Sequence, residues 1–206
     1  MAFPRIISRI AALSATIVFA VAAAAQVIEY ETNGQKYQTL SHRGLTVIVA
    51  HLPAQVAGYG LVQVSIANGS AIHWTVKPED FQYVRPSGAI GALSADAVVD
   101  VMLDHASSGD VVKLITSYEN ALYAIPNMRS TNGYEQRRQG ALGFGASVRL
   151  RAAGAASAIT LALVRLAPGE STDGAVFIRL PKDTKSLSGG HISFHSESEA
   201  FEFNPD

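Results

Sequence analysis

The sequence predicts a mixed fold, a β-sandwich that carries a helical insertion, and three observations lead to this prediction. From Gln26 to about Pro86 apolar and polar side chains alternate, as they do in strands. Between about residues 94 and 150 apolar side chains recur with helical spacing, and short β-rich segments return after Leu166. Strands at both ends with helices between them predict one domain over residues 26–206, with the insertion at about 94–150. A two-layer α+β domain is the alternative.

The first 25 residues have the pattern of a signal peptide. Arg5 and Arg9 form a positive start, an uncharged apolar run follows, and three alanines ending at Ala25 offer a cleavage site before Gln26. The run is short for a transmembrane helix, which needs about 20 residues. We therefore expect an exported protein, periplasmic or extracellular after cleavage near Ala25, with no stable membrane span. A retained N-terminal anchor is the alternative.

Charge and cysteine content exclude several classes of protein. Removing Arg5 and Arg9 from the 16 basic side chains leaves 14 against 17 acidic ones, a formal net charge of −3 for the mature chain. This balance gives no electrostatic basis for binding DNA or RNA, so we expect no nucleic-acid partner. The chain has no cysteine, which excludes disulfides, thiolate metal sites and attachment of a lipid at a cysteine.

The first β-rich region contains its clearest strand at residues 60–70. Val62, Val64 and Ile66 alternate with polar or small residues, which predicts a half-buried strand with these three facing inward. Asn68-Gly69 has the residue types of a tight turn, and an extended run, IHWTV, follows at residues 72–76. The sequence therefore predicts a hairpin with its bend at Asn68-Gly69.

The central region predicts two helices and a third, ambiguous segment. Ser94 has the residue type of an N-cap for the first helix, and Gly109 or Asp110 begins the second, which Pro126 ends. A third helical stretch begins near Tyr134, but periodicity leaves residues 151–166 open between helix and strand. The inward positions predicted for the first two helices are Val98, Val101, Met102, Val111, Leu114, Ile115, Tyr118 and Leu122.

Three short strands are predicted after this block, at residues 174–180, 191–195 and 200–204. Three stretches together carry a resemblance: residues 45–81 with the turn at Asn68-Gly69-Ser70, LVRLAPGESTDGAVFIRLP, and the terminal FEFN. They resemble immunoglobulin-like β-sandwich domains of exported bacterial proteins of unknown function. The resemblance covers about half of the mature chain and implies partner binding or envelope scaffolding, without any catalytic residue. The helices of residues 94–150 depart from a plain sandwich.

Ser171 is the first candidate for chemistry, because it stands between glycines in GESTDG. A nucleophile elbow has the spacing G-x-S-x-G and leads into a helix. Here Gly174 comes one residue late and an apolar strand follows. We interpret the segment as a loop with a bend at Gly169 and a second at Asp173-Gly174, and predict no catalytic residue.

His191 and His195 are the second candidate. Their spacing would place two metal ligands on one face of a helix, but HISFH is typical of a strand. Along a strand the two α-carbons lie about 13 Å apart, at 3.3 Å per residue. We therefore predict no metal site and no cofactor.

A set of polar and aromatic residues in the helical region is the third candidate. Tyrosine, glutamate and arginine there could form a pocket for an anionic group or a partner contact. The alternative interpretation is packing and ion pairs between helices. The residues of this predicted binding set are Tyr118, Glu119, Tyr134, Arg137 and Arg138.

Three functions remain open at the level of sequence. The first is an exported, non-enzymatic protein that contacts an envelope or secreted protein partner through the helical insertion. The second is a small-ligand carrier with a pocket between helices and sheet. The third is a hydrolase or metal-dependent enzyme using Ser171 or the pair His191 and His195.

Overall fold

The structure, a computed structural model, describes residues 26–125, 130–141, 147–182, 184–196 and 199–205. The predicted signal peptide and Pro126 lie outside the described residues. Within them the fold is mixed α+β, with antiparallel strand pairing throughout its sheets. The strands are β1 (Ile28–Thr32), β2 (Gln35–His42), β3 (Leu45–Val56), β4 (Tyr59–Asn68), β5 (Trp74–Val76), β6 (Phe81–Arg85), β7 (Gly88–Gly91), β8 (Val164–Leu166), β9 (Ser171–Arg179), β10 (His191–Ser196) and β11 (Glu199–Glu202).

The described strands form three sheets. The largest has the order β1-β2-β3-β4-β9, so a meander of four consecutive strands is completed by a strand from the far side of the helical block. A four-stranded sheet has the order β11-β10-β6-β7, and β5 pairs with β8. The pairing of β4 with β9 runs from Ala67 opposite Ser171 to Tyr59 opposite Arg179.

Helices lie between the two strand-rich regions, as predicted, and they extend further along the chain than expected. The described residues contain four helices, α1 (Ala95–His105), α2 (Asp110–Ala124), α3 (Tyr134–Ala141) and α4 (Val148–Ile159). The Ser94 hydroxyl accepts a hydrogen bond from the Ala97 N–H, which confirms Ser94 as an N-cap. The sequence left residues 151–166 open between helix and strand. This segment contains both, first the end of α4 and then β8.

One face of the five-stranded sheet contributes to a hydrophobic cluster with the other two sheets. Val62, Val64 and Ile66 lie in this cluster, as predicted. Phe81 and Phe194 of the four-stranded sheet join it, with their rings stacked at a centroid distance of 4.5 Å. These aromatic side chains remove a large apolar area from water.

The opposite face of the same sheet packs against the helices. Leu61 and Phe177 belong to a second cluster with the helix residues Met102, Leu114 and Leu122. The prediction that β4 is half-buried is therefore wrong. The polar residues of β4 suggested that this face is in contact with water, but the helices cover it. The buried residues on this face include Gln63 and Ser65.

The predicted hairpin at Asn68-Gly69 is also wrong. β4 pairs with β3 and β9, while β5 pairs with β8. The Asn68 side chain explains the change of direction: its Nδ2 donates to the carbonyls of Ile72 and Leu166, and its Oδ1 accepts from the Ser70 N–H. These bonds hold the chain in a bend that leaves the sheet.

The loop before β9 is shorter than predicted. Gly169 has a φ of 83° and makes the expected bend. Asp173 and Gly174 form no second bend but lie inside β9, whose core portion confirms the predicted strand. A Cβ added at Gly174 would lie 2.5 Å from the Leu161 α-carbon. Because glycine has no side chain, the segment after α4 can lie directly against β9.

No helix in the described part of the chain is both long enough and apolar enough to cross a membrane.

Candidate functional site

The five residues of the predicted binding set lie on α2 and α3, and four of them are in contact. The Tyr134 hydroxyl donates to Glu119 Oε1 at 2.9 Å, and Arg138 Nε lies 2.8 Å from the same oxygen. The rings of Tyr118 and Tyr134 meet edge to face at a centroid distance of 5.0 Å. Four of the five residues therefore form a cluster, while the binding role predicted for the set stays a prediction.

Their environments favour packing over ligand contact. Tyr118 and Tyr134 are fully buried, and burial, followed by the bond to Glu119, raises the pKa of Tyr134. Arg137 points elsewhere and donates to the Ala158 carbonyl at 2.9 Å, near the end of α4. It also lines a cavity of about 390 Å³ between α3 and α4.

A buried carboxylate beside this cluster was not among the candidates from the sequence. Asp173 Oδ2 accepts from the Tyr118 hydroxyl at 2.5 Å and from the Ser130 hydroxyl at 2.9 Å. Its Oδ1 accepts from the Thr131 N–H at 2.7 Å. Desolvation first, and the Asp173 charge second, raise the pKa of Tyr118. A charged group at this depth is stable only with such donors around it.

The segment 130–133 is built to supply those donors. The Thr131 hydroxyl donates to the Ser171 carbonyl at 3.0 Å, and the Asn132 side-chain amide donates to the Asp173 carbonyl. Asn132 Oδ1 accepts from the Tyr134 N–H at 2.9 Å, at the start of α3. This polar segment therefore joins α3 to β9. The sequence indicated only a break between helices, because nothing local shows which strand the break contacts.

The histidine candidates lie on the outward face of β10, as the strand prediction requires. Glu202 of β11 stands opposite Ser193, between the two histidines. Its Oε2 lies 3.0 Å from His191 Nε2, and its Oε1 lies 3.8 Å from His195 Nε2. Both histidine rings therefore lie near one carboxylate, despite the α-carbon spacing of about 13 Å expected along a strand. The pattern H-x-S-x-H placed Ser193 on the same face, but no local pattern indicated the contact with Glu202.

This cluster has the residue types of a hydrolytic triad in a different arrangement. The Ser193 hydroxyl donates directly to Glu202 Oε1 at 2.8 Å, and its Oγ lies 3.2 Å from His195 Nδ1. In a triad the carboxylate binds the histidine and the hydroxyl faces the substrate. Here Ser193 is 0% exposed, so its hydroxyl does not face the solvent. In the described residues no group of three or more His, Asp or Glu side chains has the geometry of a metal site.

Ser171 is the exposed first residue of β9. Its carbonyl accepts the Thr131 hydroxyl, which gives this position a structural contact.

A groove of about 670 Å³ lies at the β1–β3 end of the five-stranded sheet. The register places Glu29, Gln38 and Val49 side by side across these strands, on the face of the first hydrophobic cluster. The residues that we call the groove are Glu29, Glu31, Lys36, Gln38, Val49 and His51 along the strands, with Lys185, Ser186, Leu187 and Pro205 bordering them.

The C-terminal segment forms part of the groove border through paired amide contacts. Gln38 Oε1 accepts from the Asn204 N–H at 2.9 Å, and Gln38 Nε2 donates to the Asn204 carbonyl at 3.1 Å. The Asn204 side chain donates to Glu29 Oε1 at 2.6 Å. The groove is formed by residues far apart in sequence, so no local pattern could have indicated it.

No family model, curated protein or solved structure is significantly similar to this chain.

Proposed function

We propose that the protein is an exported, non-enzymatic binding protein that holds a ligand or a partner segment in the groove. The groove itself is the observation that carries this proposal. Its volume of about 670 Å³ falls in the range of about 300–1,000 Å³ that is usual for ligand sites. Its floor consists of paired strands, which provide a rigid support for binding side chains.

The chemistry of the groove supports recognition of a polar ligand. Carboxylates from β1, an amide and a lysine from β2 and the His51 ring from β3 converge on one surface. Lys185 adds a second cation at the border. Groups of both charges on a partly apolar floor can orient a ligand through hydrogen bonds while its apolar part contacts Val49 and Leu187.

The remaining features of the proposal concern fold type and location. We propose a sandwich-type packing of the five-stranded and four-stranded sheets, supported by the cluster to which both contribute. The resemblance to immunoglobulin-like domains of exported proteins agrees with this arrangement. The charge and apolar pattern of residues 1–25 supports export, with an envelope or secreted protein as the expected partner.

A thermal-shift screen of the purified protein against amino acids, sugars, nucleotides and short peptides tests the proposal. A ligand at about 100 times its Kd stabilises the folded state by about 2.7 kcal/mol, which raises Tm. We expect Lys36→Ala or His51→Ala to reduce the rise in Tm, and Lys113→Ala on the helical side to leave it unchanged. A screen without any stabilising compound, or shifts insensitive to the groove variants, would contradict the proposal.

A second proposal places a partner contact on the helices instead. Val112 of α2 is 65% exposed and Leu150 of α4 is 55% exposed, which is high for large apolar side chains. Crosslinking in envelope extracts from a photoreactive residue at position 112, compared with one at position 36, distinguishes the two surfaces. Adducts formed from position 112 alone would favour the helices.

A further inference from the structure

The groove continues into the outer edge of the five-stranded sheet. In the described part of the chain, β1 has β2 on one side and no strand on the other. Its pairing is regular, from Ile28 opposite Thr39 to Thr32 opposite Gln35. An edge of this kind presents main-chain N–H and C=O groups that another extended chain can bind.

The turn between β1 and β2 determines which residues present those groups. Asn33 and Gly34 have φ values of 51° and 75°, so they form a two-residue turn with both residues left-handed. The pair that flanks such a turn, Thr32 and Gln35, exchanges main-chain hydrogen bonds, and every second pair beyond it does the same. The N–H and C=O groups of Glu29 and Glu31 consequently point away from β2, towards the outer edge.

The side chains of the same two residues line the groove. Glu31 stands opposite Lys36, and Glu29 accepts a hydrogen bond from the uncharged Asn204 amide. Both carboxylates are on exposed residues. A strand added beside β1 would place its own side chains directly opposite Glu29 and Glu31, where opposite charges stabilise the pairing.

The groove already contacts the main chain of the segment that follows β11. The Gln38 amide binds both the N–H and the carbonyl of Asn204, two main-chain groups of one residue. This contact uses only groups that every non-proline residue carries. The chemistry is therefore suited to polypeptide main chain rather than to a particular side chain.

We propose that β1 binds an extended polypeptide segment of a partner protein as an additional strand, with lysine or arginine at alternate positions opposite Glu29 and Glu31. Main-chain hydrogen bonds to the edge supply affinity, and the two carboxylates select basic residues. This proposal rests on the proposed function of the groove and names the class of its partner.

Fluorescence anisotropy with a labelled peptide that alternates lysine and valine tests the proposal on the purified protein. We expect saturable binding that weakens with added salt, and binding about tenfold weaker for the matched peptide with glutamate in place of lysine. N-methylation of the peptide nitrogens that face β1 should abolish binding. N-methylation of the alternate nitrogens should leave it within about twofold, since those groups face solvent. Equal loss in both methylated peptides would overturn the added-strand geometry.

Two variants at one position separate the main-chain contact from the charge. Glu31→Gln keeps the main-chain N–H of residue 31. It should weaken binding of the lysine peptide by about threefold to fivefold and reduce the salt dependence of that binding. Glu31→Pro also removes the edge N–H without removing a bond to β2, so it should abolish binding of both peptides. Circular dichroism checks that both variants are folded. If Glu31→Pro binds as tightly as Glu31→Gln, the proposal is wrong.

The outcomes also separate this proposal from the function on which it rests. Small compounds that stabilise the protein through Lys36 and His51, together with no binding of either peptide, would overturn the strand proposal and leave the groove as a ligand site. No binding of peptides and no stabilising compound would overturn both.

Discussion

At the scale of single residues, Asp173 is the most deeply buried carboxylate residue of the described chain. It is 3% exposed and is surrounded by donors from α2 and from the segment 130–131. A buried carboxylate stabilises a fold only while its donors are in place, because an incomplete set leaves the desolvation cost uncompensated. Asp173 therefore makes the position of the segment 130–133 energetically important.

Replacing Asp173 with asparagine should destabilise the protein by about 2–4 kcal/mol. The amide has nearly the same shape, but its NH₂ group faces donors where an acceptor is needed. Tyr118→Phe, which removes one donor and keeps the ring, should cost only about 1–2 kcal/mol. Urea unfolding at neutral pH measures both values. Equal losses in the two variants would show that the carboxylate has no role beyond its bond to Tyr118.

Tyr37 makes stability depend on pH in the alkaline range. Burial first, and neighbouring Tyr30 second, raise the pKa of Tyr37 to about 12, against about 10 in an unfolded chain. The contribution of the protonated Tyr37 hydroxyl to the free energy of unfolding is fully present below about pH 10. Between about pH 10 and 12 the unfolded state releases its proton first, so the free energy of unfolding falls as the pH rises through this range. Tyr118 and Tyr134, whose pKa values are also raised, act in the same direction.

Unfolding of Tyr37→Phe as a function of pH isolates this contribution. At neutral pH the variant should lose about 1 kcal/mol, because the Tyr37 hydroxyl donates to the Ala121 carbonyl at 2.6 Å. Above pH 10 its stability should fall less steeply than that of the parent protein. Parallel curves would mean that Tyr37 ionises equally easily in both states.

At the scale of elements, β9 lies unusually close to the chain that follows α4. Gly174→Ala would place a methyl group 2.5 Å from the Leu161 α-carbon and 2.6 Å from its nitrogen. Leu161 donates its N–H to the Ala175 carbonyl at 3.0 Å, so it cannot move without disturbing that bond. We expect a loss of about 2–3 kcal/mol.

Gly91→Ala is the matched control, because an added Cβ there has no atom of the described residues within 4 Å. Its stability in thermal or urea unfolding should stay within about 0.5 kcal/mol of the parent protein. Similar losses at Gly91 and Gly174 would contradict the close-approach explanation.

The elements also show how much of the fold the sequence patterns predicted. Regular patterns with one dominant period predicted α2 and the inward face of β4 formed by Val62, Val64 and Ile66, although the same alternation wrongly predicted that the other face of β4 is in water. Two dipeptides typical of turns, Asn68-Gly69 and Asp173-Gly174, led to wrong predictions, because contacts with residues far away in the sequence determine their conformation. Asn68 bonds to Leu166, and Asp173 is held in a strand by residues 130–132. The groove and the Glu202 contacts depend on pairing between strands, which a single sequence does not specify.

At the scale of the whole molecule, the five-stranded sheet links two hydrophobic clusters. β4 and β9 contribute one face to each cluster. Loss of either cluster would therefore expose to water one face of the strands on which the other cluster is built. The structure should therefore unfold as one cooperative unit.

Trp74 provides a direct test, since it is the single tryptophan and lies in the first cluster. Its fluorescence reports the packing between the sheets, while circular dichroism at the helical band reports the second cluster. The two urea transitions should coincide in midpoint and slope. A helical transition at lower urea would show that the insertion unfolds separately.

The pairing of β4 with β9 also has a consequence for the kinetics of folding. Ala67 meets Ser171 only after the whole helical block has been synthesised, so closing this contact costs a large loop entropy. A nascent chain that ends after β4 contains β3 but lacks β9, and it also lacks the later strands and helices that cover the two apolar faces of β4. We expect slow folding and a transient species that binds chaperones until β9 becomes available.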